Sequence, residues 1–205
     1  VTSDHGELLG EHDLWGHVHS LYDELLRVPL VMRFPGTIPP GSATATPAEG
    51  IDVLPTLLAA AGVPREEWPS DRGLDLSTTW SGGAEIDGRA MVAEHFTPSM
   101  LPEAADDTMS GDLDGLFVRR RSVVLGTTKY TVSSDGEERL FQLGRDPAEE
   151  RDRSADLAGP LAAGQVALGQ WVENEGVAWS DSVQIQGPEL DPATRQRLKE
   201  LGYID

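Results

Sequence analysis

VTSDHGELLGEHDLWGHVHSLYDELLRVPLVMRFP, running from Val1 to Pro35, is the stretch on which the reading of this chain turns. Four of the five histidines fall within its first nineteen residues: His5, His12, His17 and His19. Five carboxylates stand among or beside them, Asp4, Glu7, Glu11, Asp13 and Asp23. No later segment gathers metal-binding and proton-transfer groups so densely. Val1 reads as the tail of an apolar strand, Thr2 and Ser3 as its last turn outward, and Gly6 as the residue that lets the backbone fold sharply. Asp4 and His5 then sit side by side on a loop at the carboxyl end of a strand, where open α/β sheets bind ligands. Carboxylate oxygen and neutral imidazole nitrogen both coordinate divalent cations. Taken alone, the triplet reads more simply as an aspartate capping a turn beside a surface histidine. Its surroundings decide between the two.

Composition narrows the function classes. The 205 residues suit one domain or one and a half. The net charge of −19 favours solubility and disfavours nucleic acid and anionic membranes as partners. No apolar run reaches eighteen residues, so no helical membrane span is expected. The absence of cysteine excludes disulfides and thiolate metal sites, and leaves the compartment open. A buried strand needs about five or six residues, yet only Val1 stands before the Thr-Ser-Asp turn. The sheet that carries Asp4 is therefore expected to continue upstream, which makes the chain the carboxyl-terminal portion of a larger protein.

The elements follow from pattern. Tyr22 to Leu26 reads as a helical turn and Val28 to Phe34 as a buried strand. Arg27 is expected to pair with Asp23 or Glu24. Asp52 as N-cap, Pro55 in the first turn and Gly62 at the end frame a helix, with Leu54, Leu57, Leu58 and Ala61 as its apolar stripe. Arg89 to His95, Leu116 to Leu125, Lys129 to Ser133 and Arg139 to Leu143 read as strands, with Ser134-Asp135-Gly136 as a hairpin turn. The basic run Arg119-Arg120-Arg121 reads as an edge strand paired with local carboxylates, and Glu94-His95 as a strand end. Thr97 to Asp114 is a long acidic loop and a candidate specificity element. Asp146-Pro147-Ala148-Glu149 has the form of a cap, first-turn proline and capping-box glutamate. A helix follows over about Pro160 to Asn174, then an irregular stretch over Val177 to Glu189, and Asp191 to Gly202 reads as a last helix.

Four ordered segments resemble the sulfatase branch of the alkaline phosphatase superfamily. They are TSDHGE through RVPLVMRFPG, IDVLPTLLAAAG, KYTVSSDGEERLFQLGRDPAEERDRS and the closing LKELGYID. The resemblance implies an α/β fold: residues 1–83 as the end of the large sulfatase-like domain with part of an alkaline-phosphatase-like sheet, 84–158 as a small antiparallel β subdomain, and 159–205 as a helical tail. It implies that Asp4 and His5 bind a divalent metal, calcium in sulfatases, manganese or zinc in phosphoryl-transferring relatives. The family often places a lysine or histidine after the glycine of this loop, to contact sulfate and protonate the leaving group. Here the pattern is Trp15-Gly16-His17-Val18-His19, so the role passes to His19 or His17, with His19 favoured three residues before Tyr22. His12 and the remaining imidazole are expected to hydrogen-bond within the loop. The implied partner is a sulfate-ester small molecule or glycan, together with the missing N-terminal half of the enzyme. The family's formylglycine motif, Cys/Ser-x-Pro/Ala-x-Arg, does not occur in this sequence, so the chain alone is expected to be inactive. Two other readings remain: a phosphodiesterase or phosphonate monoester hydrolase of the same superfamily, and a non-catalytic acidic metal-binding or interaction module.

Overall fold

The computed structural model describes residues 1–17, 20–70, 72–80, 86, 88–96 and 118–175. The Thr97 to Asp114 loop, the Val177 to Glu189 stretch and the last helix expected from the sequence lie outside them. The chain begins with a miniature hairpin, in which β1 (Leu8–Leu9) pairs antiparallel with β2 (Trp15–Gly16). Leu8 is fully buried and anchors it. α1 (Asp23–Leu26) buries Leu25, and the Gly6 N–H donates to the Leu25 carbonyl at 2.8 Å.

Val28 to Phe34, expected as a buried strand, forms no ladder among the described residues. Val31 exchanges two hydrogen bonds with Val1, of 2.8 and 2.6 Å. Its side chain is 60% exposed, and apolar cover nearby comes from Ile38, Leu57, Ala60 and Ala61. Burial on both faces needs a layer on each side, and the described residues provide one. Arg27 is exposed, and its expected partners are engaged elsewhere: Asp23 with Lys129, Glu24 beside His12.

α2 (Val53–Ala60) stops where the sequence says. Gly62 sits at φ +74°, with Val63 N–H to the Leu58 carbonyl and Gly62 N–H to the Ala59 carbonyl, each at 3.0 Å. This is the paired-bond ending that a left-handed glycine permits. The inward face differs from the periodicity: Leu54 and Leu57 are 48% and 50% exposed, while Pro55 and Thr56 are buried. Polar bonds decide the rotation. Thr56 Oγ1 accepts from Leu76 N–H at 3.0 Å and donates to the Leu74 carbonyl at 3.3 Å. Asp52 is wholly buried and accepts from Leu74 N–H (2.7 Å), Glu49 N–H (2.8 Å) and the Arg89 guanidinium. Burial pushes the Asp52 carboxyl up, but Arg89 and the two backbone donors outweigh it, and its pKa ends below the ordinary range. Asp52 is thus the knot that ties α2 to the chain leading into the sheet.

That sheet is antiparallel, in sequence order: β3 (Ala90–His95), β4 (Arg120–Leu125), β5 (Thr128–Ser133) and β6 (Glu138–Gln142). β4 is therefore an inner strand, not the edge its three arginines suggested. Alternation sorts their side chains. Arg121, buried, lies opposite Glu94 and bonds it at 2.6 Å. On that same face Val123, Tyr130 and Leu140 meet Leu168 of α3 (Ala158–Glu175). Gly164 permits this contact, because a Cβ there would stand 2.4 Å from the Tyr130 Cβ.

The opposite face is polar. Lys129, with no exposed surface, bonds Asp23 at 2.9 Å and Glu149 at 3.0 Å. Glu149 also accepts from Asp23 N–H at 2.6 Å. The capping-box reading of Glu149 does not hold: no helix starts beside it, its φ is +51°, and it turns inward to the lysine. Asp146 instead closes a local turn by accepting from Glu150 and Arg151 N–H at 3.1 and 2.9 Å. Among the described residues no helix is long and apolar enough to cross a membrane.

Candidate active site

The first hairpin builds the site. Its ladder sets Leu8 opposite Gly16, so one step further along brings Glu7 opposite His17. The connection turns through His12 (φ 56°, ψ 23°) and Asp13 (φ 59°), both left-handed, closed by Leu14 N–H to the Glu11 carbonyl at 2.9 Å. Histidine and aspartate tolerate this region better than most residues do. His17 Nδ1 consequently lies 3.1 and 3.3 Å from the two Glu7 oxygens. The His5 ring stacks on the His17 ring at 4.2 Å and 22°. Ligand-capable atoms of His5, Glu7 and His17 all lie within 4.8 Å of one another.

Hydrogen bonds fix the ring orientations. His5 Nδ1 is 2.8 Å from the Gly6 carbonyl. A carbonyl only accepts, so Nδ1 carries the hydrogen and Nε2 keeps its lone pair. That Nε2 is 3.8 Å from Asp4 Oδ2. Two ligands on one ion, each about 2.1–2.5 Å from it, lie roughly 3–4 Å apart, so the pair fits a shared divalent cation. The His5 backbone N–H, donating to Asp4 Oδ1 at 3.0 Å, holds the Asp4 carboxyl below its ordinary value and keeps it anionic. By the same logic, the Glu7 carboxylate takes the hydrogen on His17 Nδ1 and leaves Nε2 as the ring's second nitrogen, outside that contact.

Gly6 serves the site differently from the sequence reading. Its φ is not left-handed. A Cβ there would stand 1.8 Å from the Glu24 carbonyl oxygen, so the glycine allows α1 to approach the Asp-His step.

Of the residues expected to act, Asp4, His5 and His17 come together, while His19 lies outside the described residues. His12 stands apart from them. It stacks on Tyr22 at 3.6 Å and 6°, with Nε2 3.7 Å from Glu24 Oε2. It packs where a loop hydrogen bond was expected. Glu7 was missed as a partner of His17; its signal was the Leu-Leu and Trp-Gly pairing, too short to read as strands.

Residues 1–63 match the sulfatase family model. Choline-sulfatase of Rhizobium meliloti (strain 1021) is 30% identical over 159 residues, covering 78% of this chain and 27% of that protein. N-acetylglucosamine-6-O-sulfatase of Bacteroides thetaiotaomicron is 43% identical over 98 residues, 46% of this chain and 17% of that protein. A structure solved in complex with its substrate D-glucosamine-2-N,6-O-disulfate matches with a TM-score of 0.66 and 25% identity, over 85% of this chain and 34% of that one. The chain spans 27% and 17% of the length of these two curated relatives. The matched residues include the whole Asp4–His17 loop, and on these grounds the chain belongs to the sulfatase family.

Proposed function

We propose that this chain supplies the cation-binding and proton-donating side of an active centre that hydrolyses sulfate esters. The observation that carries the reading is the meeting of Asp4, His5, Glu7 and His17 on one short hairpin. Asp4 and His5 would hold a divalent cation, calcium by family resemblance, whose positive charge would offset that on the sulfate oxygens. In its imidazolium form His17 would give the Nε2 proton to the leaving oxygen and return to the neutral ring, while Glu7 holds Nδ1–H and keeps the imidazole aimed. Aligned donors and local charge must override the repulsion between a sulfate ester and a chain of net charge −19. The family's nucleophile motif does not occur in this sequence, so these 205 residues are expected to turn over no substrate by themselves. The relatives above include a choline-sulfatase, an N-acetylglucosamine-6-O-sulfatase and a structure holding D-glucosamine-2-N,6-O-disulfate as substrate; we propose a sulfated small molecule or glycan for this chain.

In the donor pair the imidazole also suits zinc and the carboxylate manganese, the ions that accompany the phosphodiester or phosphonate alternative. The test uses the intact protein that carries this sequence. Asp4→Ala is expected to remove most sulfate-ester turnover and lower cation affinity while the melting temperature stays near wild type. Near-normal turnover in Asp4→Ala overturns the ligand assignment. Faster turnover of a phenyl phosphonate than of an aryl sulfate overturns the sulfate assignment.

A further inference from the structure

The two strands of the first hairpin sort their side chains by alternation. Leu8, opposite Gly16, points to the buried side and has no exposed surface. Glu7, Leu9, Trp15 and His17 therefore share the other face, with Leu9 opposite Trp15 and the Glu7 carboxylate on His17. On that face Leu9 is 65% and Trp15 63% exposed. Single exposed apolar side chains are ordinary. Here two form a cross-strand pair beside the proposed proton donor. Two residues along a strand span about 7 Å, so a small alcohol handled by His17 reaches Trp15 as well.

The proposed reaction sets the orientation. His17 acts on the leaving oxygen, so the alcohol half of the ester lies on the His17 side of the cation, and the surface it meets there is Leu9 and Trp15. Three observations fit a positively charged alcohol. First, the six-membered ring of Trp15 lies against Gly10, where an added Cβ would stand 3.4 Å from Cζ2. The turn backs the indole while most of the residue stays open, and an indole face attracts cations more strongly than any other side-chain ring. Second, Glu11 Oε2 accepts from the Leu9 N–H at 2.6 Å. That bond is the main cause holding the Glu11 carboxyl below its ordinary range, so it stands anionic at this end of the hairpin. Glu7 answers His17, and Glu11 is the carboxylate placed to answer a second cation. Third, a chain of net charge −19 repels a simple sulfate ester. An ester that also carries an ammonium group has no net charge and meets no such repulsion.

We infer that Trp15 and Leu9 seat the alcohol half of the substrate, and that this alcohol carries an alkylated ammonium group stacked on Trp15 with Glu11 alongside. The inference deepens the sulfate-ester reading and rests on it for the position of the alcohol. Recognition of the cation itself needs no turnover.

The test uses the intact protein that carries this sequence. The alcohol 2-(trimethylammonio)ethanol and its uncharged isostere 3,3-dimethylbutan-1-ol are titrated by calorimetry; they share a shape and differ in charge. The charged alcohol is expected to bind at least about fivefold more tightly, with that advantage lost in Trp15→Ala and largely kept in Trp15→Phe. Glu11→Gln should reduce the advantage about two- to threefold, and it decides the matter should Trp15→Ala fail to fold. The two matching sulfate esters give a second readout: Trp15→Ala should raise KM at least about fivefold for the charged ester and less than about twofold for the neutral one. Equal binding of the two alcohols, equal losses of both in Trp15→Ala, or binding of neither overturns the inference, and the face then belongs to a neutral alcohol or to another part of the protein. Selective binding of the charged alcohol with hydrolysis of neither ester supports the cation seat and counts against the sulfate-ester reading instead.

Discussion

Replacing Gly6 by alanine tests whether the Asp-His step is held by close approach to α1. The added methyl would begin 1.8 Å from the Glu24 carbonyl oxygen, 2.9 Å from its carbon and 3.3 Å from the Leu25 Cα. All three are backbone atoms, so no side chain can swing aside. The first contact must open to at least 3.0 Å. That movement breaks the 2.8 Å bond from Gly6 N–H to the Leu25 carbonyl. Overpacking costs about 1–3 kcal/mol, and the lost hydrogen bond about 0.5–1.5 kcal/mol more. Together roughly 2–4 kcal/mol is expected, or a fall in melting temperature of roughly 5–15 °C for a domain of this size. Asp4 and His5 lie next to the displaced residue, so cation affinity should fall in parallel. Differential scanning fluorimetry and calorimetric cation titration of the intact protein measure both. Gly50 is the control: nothing lies within 4 Å of its would-be Cβ, and alanine there should stay within about 0.5 kcal/mol of wild type. If Gly6→Ala melts within about 1 °C of wild type and binds cation equally well, the close-approach argument is wrong.

Lys129→Met leaves the Asp23 and Glu149 carboxylates facing each other without a cation; removing one partner of a buried pair costs about 3–5 kcal/mol, and urea melts should show a loss in that range, partly recovered by adding Glu149→Gln. His17→Gln should slow hydrolysis of alkyl sulfates about 100-fold or more while barely affecting an aryl sulfate with an acidic leaving group, since only the former needs a proton; equal losses on both would remove His17 from the acid role. Asp52 has its carboxyl held below the ordinary range, so its contribution is full above about pH 4 and is lost as pH falls through the lowered native value. The stability gap between wild type and Asp52→Asn should therefore be wide at pH 6 and narrow below about pH 4; a gap that widens on acidification contradicts the assignment.

Local punctuation was the most legible part of the sequence. Gly62 ends α2 as expected, and Ser134-Asp135-Gly136 turns β5 into β6, with Gly136 at φ +92° and Ser133 N–H bonded to the Glu137 carbonyl at 2.9 Å. Asp4, His5 and His17 come near one another because they sit on one continuous loop, while His19, favoured from the sequence for the acid role, lies outside the described residues. What failed depended on partners remote in sequence. Thr56 faces inward because it bonds residues 74 and 76, which no helical periodicity reveals. Glu149 looked like a cap until Lys129, twenty positions earlier, claimed it. β4 became an inner strand because β3 joins its far side, a pairing with no local signal. Glu7 required a ladder two residues long on each strand.

The Lys129 amine touches segments 106 and 20 positions away in sequence. A single proton-bearing nitrogen therefore couples the histidine loop, through Asp23, to the interior of the sheet. Neither can come apart alone without stranding a charge, so both should melt in one transition and their amides should exchange with solvent at matching rates.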